Sequence, residues 1–69
     1  MRSEMIIMQS ILDVQSERDT YRAEIRMLLD IPYRYRSKEA QSRIDRLTSC
    51  IISCNESVDF LKRELNTYR

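Results

Sequence analysis

Residues 40–68 read AQSRIDRLTSCIISCNESVDFLKRELNTY, and the apolar positions of this stretch decide the fold. Ala40, Ile44, Leu47, Ile51, Cys54, Val58, Leu61, Leu65 and Tyr68 recur at alternating spacings of four and three residues. On a helix this alternation holds all nine side chains on one face, as in the seam of a coiled coil. Ile44, Ile51, Val58 and Leu65 take the first position of the heptad, Ala40, Leu47, Cys54, Leu61 and Tyr68 the fourth. Ser37 is suited to cap the helix, and Glu39 faces the positive end of its dipole. A helix over about 37–68 follows.

Working back toward the N-terminus, Ile7, Ile11, Val14, Arg18, Tyr21, Ile25 and Leu28 repeat the same alternation, with Arg18 as its one charged member. Ser3 and Glu4 make a start signal, and Pro32 disfavours helix at Ile31. This predicts a first helix over about 3–31 and a loop over about 32–36. Leu28 and Ala40 occupy equivalent heptad positions but lie twelve residues apart, which is not a multiple of seven. One continuous helix would turn its stripe out of line there. Two helices joined by a short loop are antiparallel neighbours. In that arrangement positions that sum to 72 face each other, Leu28 with Ile44, Ile25 with Leu47, Tyr21 with Ile51, Arg18 with Cys54, Val14 with Val58, Ile11 with Leu61 and Ile7 with Leu65.

The expected fold is therefore all-α, with residues 1–69 forming a single antiparallel two-helix hairpin of coiled-coil type. A hairpin has one thin core, and Met5, Met8 and Leu12 lie beside the seam, with Phe60 near the same end. Pairing of two hairpins into a dimeric four-helix bundle through this apolar end would supply a second layer. The competing arrangement is a parallel dimer of the second helix alone, with the first helix as a separate arm.

Composition narrows the function. The chain has 69 residues, of which 42% are hydrophobic, with no Gly, no His and no Trp. Absence of Gly excludes a P-loop or dinucleotide fingerprint, and absence of His removes the commonest general base and metal ligand. No catalytic constellation is present, so the chain reads as a non-enzyme with no cofactor, no metal and no small-molecule substrate. Cys50 and Cys54 lie four apart, where a bridge would strain a helix. They read as reduced thiols, with a redox role for Cys50 ahead of metal ligation. No stretch approaches the roughly 20 apolar residues of a membrane span, and the run Met5–Met8 is too short for a signal-peptide core. The expected address is the cytoplasm, of a cell or of a host.

Twelve Lys+Arg against eleven Asp+Glu leave a net charge of +1, but residues 32–46 carry five basic and two acidic side chains. Tyr33, Arg34, Tyr35 and Arg36 form a basic aromatic tip, joined from the neighbouring helix by Arg43 and Arg46. Such side chains anchor protein interfaces and also stack on unpaired bases. The bland alternative is a solvated loop paired to Asp30, Glu39 and Asp45. Arg18, Arg22 and Arg26 are spaced to form a ladder toward an anionic partner. The preferred reading of Arg22 and Arg26 is pairing along the helix with Asp19 or Glu24, with Glu17 and Tyr21 contributing nothing. Arg18 is instead a register device or an interface contact.

Ser42 and the run Ile44-Asp45-Arg46-Leu47 resemble the Ser…Leu-Asp-x-Leu signature of the short two-helix phosphatases that act on sporulation phosphorelays. The resemblance spans four or five residues, and its serine is displaced by one. It would put Asp45 at stake, and no membership is assigned on it. The reading that covers the whole chain is a protein–protein interaction module, an adaptor, inhibitor or regulator of a larger protein. It binds that protein, itself, or both, through the tip (Tyr33, Arg34, Tyr35, Arg36, Arg43, Arg46) and the apolar end (Met5, Met8, Leu12, Phe60). The alternative is an RNA- or DNA-binding hairpin dimer that uses the tip.

Overall fold

A computed structural model of the chain describes residues Ser3–Tyr68. Helix α1 spans Glu4–Leu29, a 3-10 turn covers Tyr33–Tyr35, and helix α2 spans Lys38–Asn66. Both helices begin where a serine can serve a free N–H. Ser3 Oγ accepts from the Ile6 amide at 3.2 Å, and Ser37 Oγ from the Ala40 amide at 3.0 Å.

α1 stops two residues short of the expected boundary. The Asp30 amide still donates to the Arg26 carbonyl at 3.2 Å, and the Ile31 amide donates to the Leu28 carbonyl, tightening the last turn. Pro32 then keeps Ile31 from continuing the helix. The return loop contains no residue with positive φ, consistent with a chain that has no Gly.

The helices pack against each other in antiparallel order. Ile7 and Ile11 cluster with Val58 and Leu61, Arg18 reaches Asn55, and Glu24 reaches Arg43, so the partner number falls as α1 rises. The parallel alternative is thereby set aside. Ile7, Ile11, Ile44, Leu47, Cys54, Val58 and Leu61 are buried, while Val14, Arg18, Tyr21, Ile25, Leu28, Ile51 and Leu65 are half-buried. Every one belongs to the heptad seam. The exception is Tyr68, exposed at the end of the stripe. The result is a rod 51 Å long and 14 Å across in both other directions. A two-helix seam covers only one stripe of each helix, which is why both broad faces of the rod remain open.

Candidate functional site

The tip is built by Arg36. Its Nη2 donates to the Ile31 carbonyl at 3.1 Å and its Nη1 to Gln41 Oε1 at 3.0 Å, tying the end of α1 to the first turn of α2. The guanidinium carbon lies 5.5 Å from the centre of the Tyr33 ring. Arg36 is therefore a half-buried clasp. The sequence makes it a contact for a partner, but the Ile31 carbonyl and Gln41 take two of its donors, and its buried Nε has no hydrogen bond.

Arg43 is committed in the same way. Its Nη2 contacts both oxygens of Glu24, at 3.0 and 3.2 Å. The pairing of the tip arginines with Asp30, Glu39 and Asp45 does not occur among the described residues. Tyr33 and Tyr35 are 80% and 71% exposed, with Arg34 lying over the Tyr35 ring at 5.3 Å. Arg46 is exposed on α2. Of the six tip residues, these four keep a free face.

The apolar end divides. Met5, Met8 and Leu12 are exposed on one broad face of the rod. Phe60, 62% exposed, borders a recess with Ser10, Val14, Ser57 and Leu61, and none of the three α1 residues lines it. Met8 follows the seam residue Ile7 by one, whereas Phe60 precedes the seam residue Leu61 by one. In an antiparallel pair these offsets point to opposite faces. The four residues share one end of the rod but not one face.

On the Phe60 side a second recess adjoins the first, sharing Val14, Ser53 and Ser57 with it, and is continued by Glu17, Tyr21 and Cys50. The Tyr21 hydroxyl donates to Glu17 Oε1 at 2.6 Å, a contact that the sequence reading had dismissed. This bond to a carboxylate holds the phenol in its neutral form and pushes its pKa from 10 up to about 12. Burial raises the Cys54 thiol in turn. A thiol so placed is a poor nucleophile at neutral pH. Cys50 and Cys54 are both free thiols, and no group of three or more His, Cys, Asp or Glu that could hold a metal occurs among the described residues.

On the opposite face a recess of about 330 Å³ is lined by Arg22, Ile25, Arg26, Leu29, Asp30 and Ile51. The sequence reading paired Arg22 and Arg26 along α1. Instead, Asp19 approaches Arg18 Nε at 3.9 Å and Glu24 turns across to Arg43. Among the described residues the side chains of Arg22 and Arg26 have no hydrogen-bond or ion-pair partner. The recess itself escaped the sequence reading. Its one signal was Leu29, an apolar residue just off the seam. Asp45, singled out by the short phosphatase-like run, is exposed and accepts from Gln41 Nε2 at 3.1 Å.

No described helix is long and apolar enough to cross a membrane. No protein-family model matches the chain, and no curated protein or solved structure is similar enough to count as a match.

Proposed function

We propose that this hairpin is a small, non-catalytic protein–protein interaction module, an adaptor, inhibitor or regulator of a larger protein, acting in the cytoplasm of a cell or of a host. The observation that carries the reading is the imbalance of its apolar side chains. Twelve large hydrophobic residues are exposed among those described, against seven hydrophobic residues buried. A rod of this kind gains most by laying a face against another protein. Self-pairing into a dimeric four-helix bundle is part of the proposal, through the end of the rod that carries Met5, Met8 and Leu12. Tyr33, Arg34, Tyr35 and Arg46 then remain for the larger partner, as aromatic and arginine anchors at the far end.

The test is capture of partners by the tagged chain from its source extract, with and without nuclease, beside light scattering of the purified protein. The proposal expects a stoichiometric protein that survives nuclease and is lost with Tyr35→Ala, and a particle of twice the 8.4 kDa chain mass that Met8→Asp dissociates. The second reading, nucleic-acid binding at the tip, draws support from the two exposed tyrosines with arginines over their rings. It expects recovery that nuclease abolishes, steep salt dependence, and loss in Arg34→Glu/Arg46→Glu. Commitment of Arg36 and Arg43 within the chain weighs against it.

A further inference from the structure

We propose that the face of α1 carrying Arg22 and Arg26 docks an acidic amphipathic helix of a partner protein. Its carboxylates, four residues apart, meet the two arginines, and an apolar side chain between them enters the recess lined by Ile25, Leu29 and Ile51. This rests on the reading of the hairpin as a protein-interaction module and gives that module's partner a chemistry.

Two observations and a matching helical spacing point to the occupant. Arg22 and Arg26 are exposed one turn apart, and among the described residues neither side chain is held in an ion pair. Four residues of helix advance roughly 6 Å, the same advance that separates two acids at that spacing on a facing helix. The recess that both arginines line is also lined by half-buried Ile25 and Ile51 and by Leu29, which is 53% exposed. An arginine pair beside apolar side chains fits an acid-and-leucine ridge.

The same features disfavour a nucleic acid. Asp19 lines the surface beside Arg22 and Arg26 at one end of the ladder, and Asp30 lines the recess at the other. Both carboxylates repel a phosphate backbone, which is charged along its whole length, whereas a helix can set uncharged side chains opposite them. Phosphate also gains nothing from Ile25, Leu29 and Ile51. Ala23, exposed between the arginines, leaves room for a second helix to approach closely.

The experiment titrates the isotope-labelled full chain with a short alanine-based helical peptide bearing Glu at i and i+4 and Leu at i+3 and i+7. Amide shifts are followed by NMR. Shifts centred on Arg22, Ile25, Arg26, Leu29 and Ile51 are expected, with affinity on the order of tenfold weaker for Arg22→Glu/Arg26→Glu. A Lys-bearing version of the peptide should restore binding to that variant and bind the native chain poorly. Circular dichroism of the variant, unchanged from the native chain, shows that folding is intact. Leu29→Asp supplies a second loss without touching the arginines. The inference is overturned by no shift at millimolar peptide, by shifts centred on Tyr33 and Tyr35 or on Met5 and Met8, or by equal binding of both peptides. Displacement of the Glu peptide from these residues by a single-stranded RNA of comparable length overturns it in favour of a phosphate ligand. A protein captured equally by the native chain and by Arg22→Glu/Arg26→Glu removes this surface but leaves the interaction module standing. Failure to capture any protein removes the module reading, and the peptide titration still decides the surface.

Discussion

Arg18 of α1 donates through Nη1 to the side-chain oxygen of Asn55 on α2 at 2.9 Å, in the middle of a seam that is otherwise apolar. Its Nε is buried and lacks a hydrogen bond, with only Asp19 at 3.9 Å. A heptad slip of the hairpin would set this guanidinium against Thr48 or Lys62 in place of Asn55, a single hydroxyl or a second cation in place of an amide oxygen. The contact therefore selects one register at a cost in stability. Arg18→Leu is expected to raise the urea midpoint, by an amount equivalent to roughly 1–4 kcal/mol. It should also broaden the distribution of oligomers in sedimentation. Asn55→Ala should lower stability by about 1–3 kcal/mol, since it leaves the guanidinium partly buried and unmet. A rise in stability in Arg18→Leu with one sharp species would show that the arginine sets no register.

Leu47 is 2% exposed and Met5 is 81% exposed, although both are large apolar side chains. Leu47→Ala should cost about 2–5 kcal/mol in denaturant unfolding followed by circular dichroism. Met5→Ala, measured at a concentration where the chain is monomeric, should change stability by no more than about 0.5 kcal/mol. A large effect of Met5→Ala under those conditions would mean that α1 packs differently at its start.

Arg36 closes the tip with two hydrogen bonds, whereas Arg34 makes a ring contact alone. Arg36→Ala should therefore lower stability by about 1–3 kcal/mol and speed amide exchange around Ile31 and Gln41. Arg34→Ala should leave both readings within error while weakening any partner held at the tip. Equal effects of the two substitutions would mean that Arg36 does not clasp the loop.

Tyr21 ionises late because its hydroxyl is bound to the Glu17 carboxylate. The folded value of about 12 lies above the ordinary value of 10. The stabilising contribution of the protonated phenol is thus complete below pH 10. It is lost as the pH rises from there through about 12, because the unfolded chain gives up its proton first. Ultraviolet titration should show one tyrosine ionising late, and Glu17→Gln should return it toward 10. An unchanged curve in that variant would place the cause elsewhere.

The seam was legible in the sequence because its periodicity is unbroken from Ile44 to Leu65 and because Pro32 marks the phase slip. Burial then followed, residue by residue. Contacts off the seam were harder, since they depend on which flank of one helix meets which flank of the other. Glu24 has acceptable arginines along its own helix, yet it chooses Arg43 because the two flank the seam on the same side. Phe60 lies at the expected end of the rod but turns away from Met5, Met8 and Leu12 for the same reason, and a flank-to-flank reading of the heptad separates them. The role of Arg36 was not legible at all. It depends on the path of the loop, which brings the Ile31 carbonyl and Gln41 within reach of one guanidinium.

The antiparallel order of the helices also fixes where the chain enters and leaves. Ser3 and Tyr68 stand together at one end of a rod 51 Å long, with Tyr33 and Tyr35 at the other. Any polypeptide joined before Ser3 or after Tyr68 departs from the same base. Carried on a larger body, the hairpin would project from it as a finger, its aromatic tip held some 50 Å away from whatever bears it.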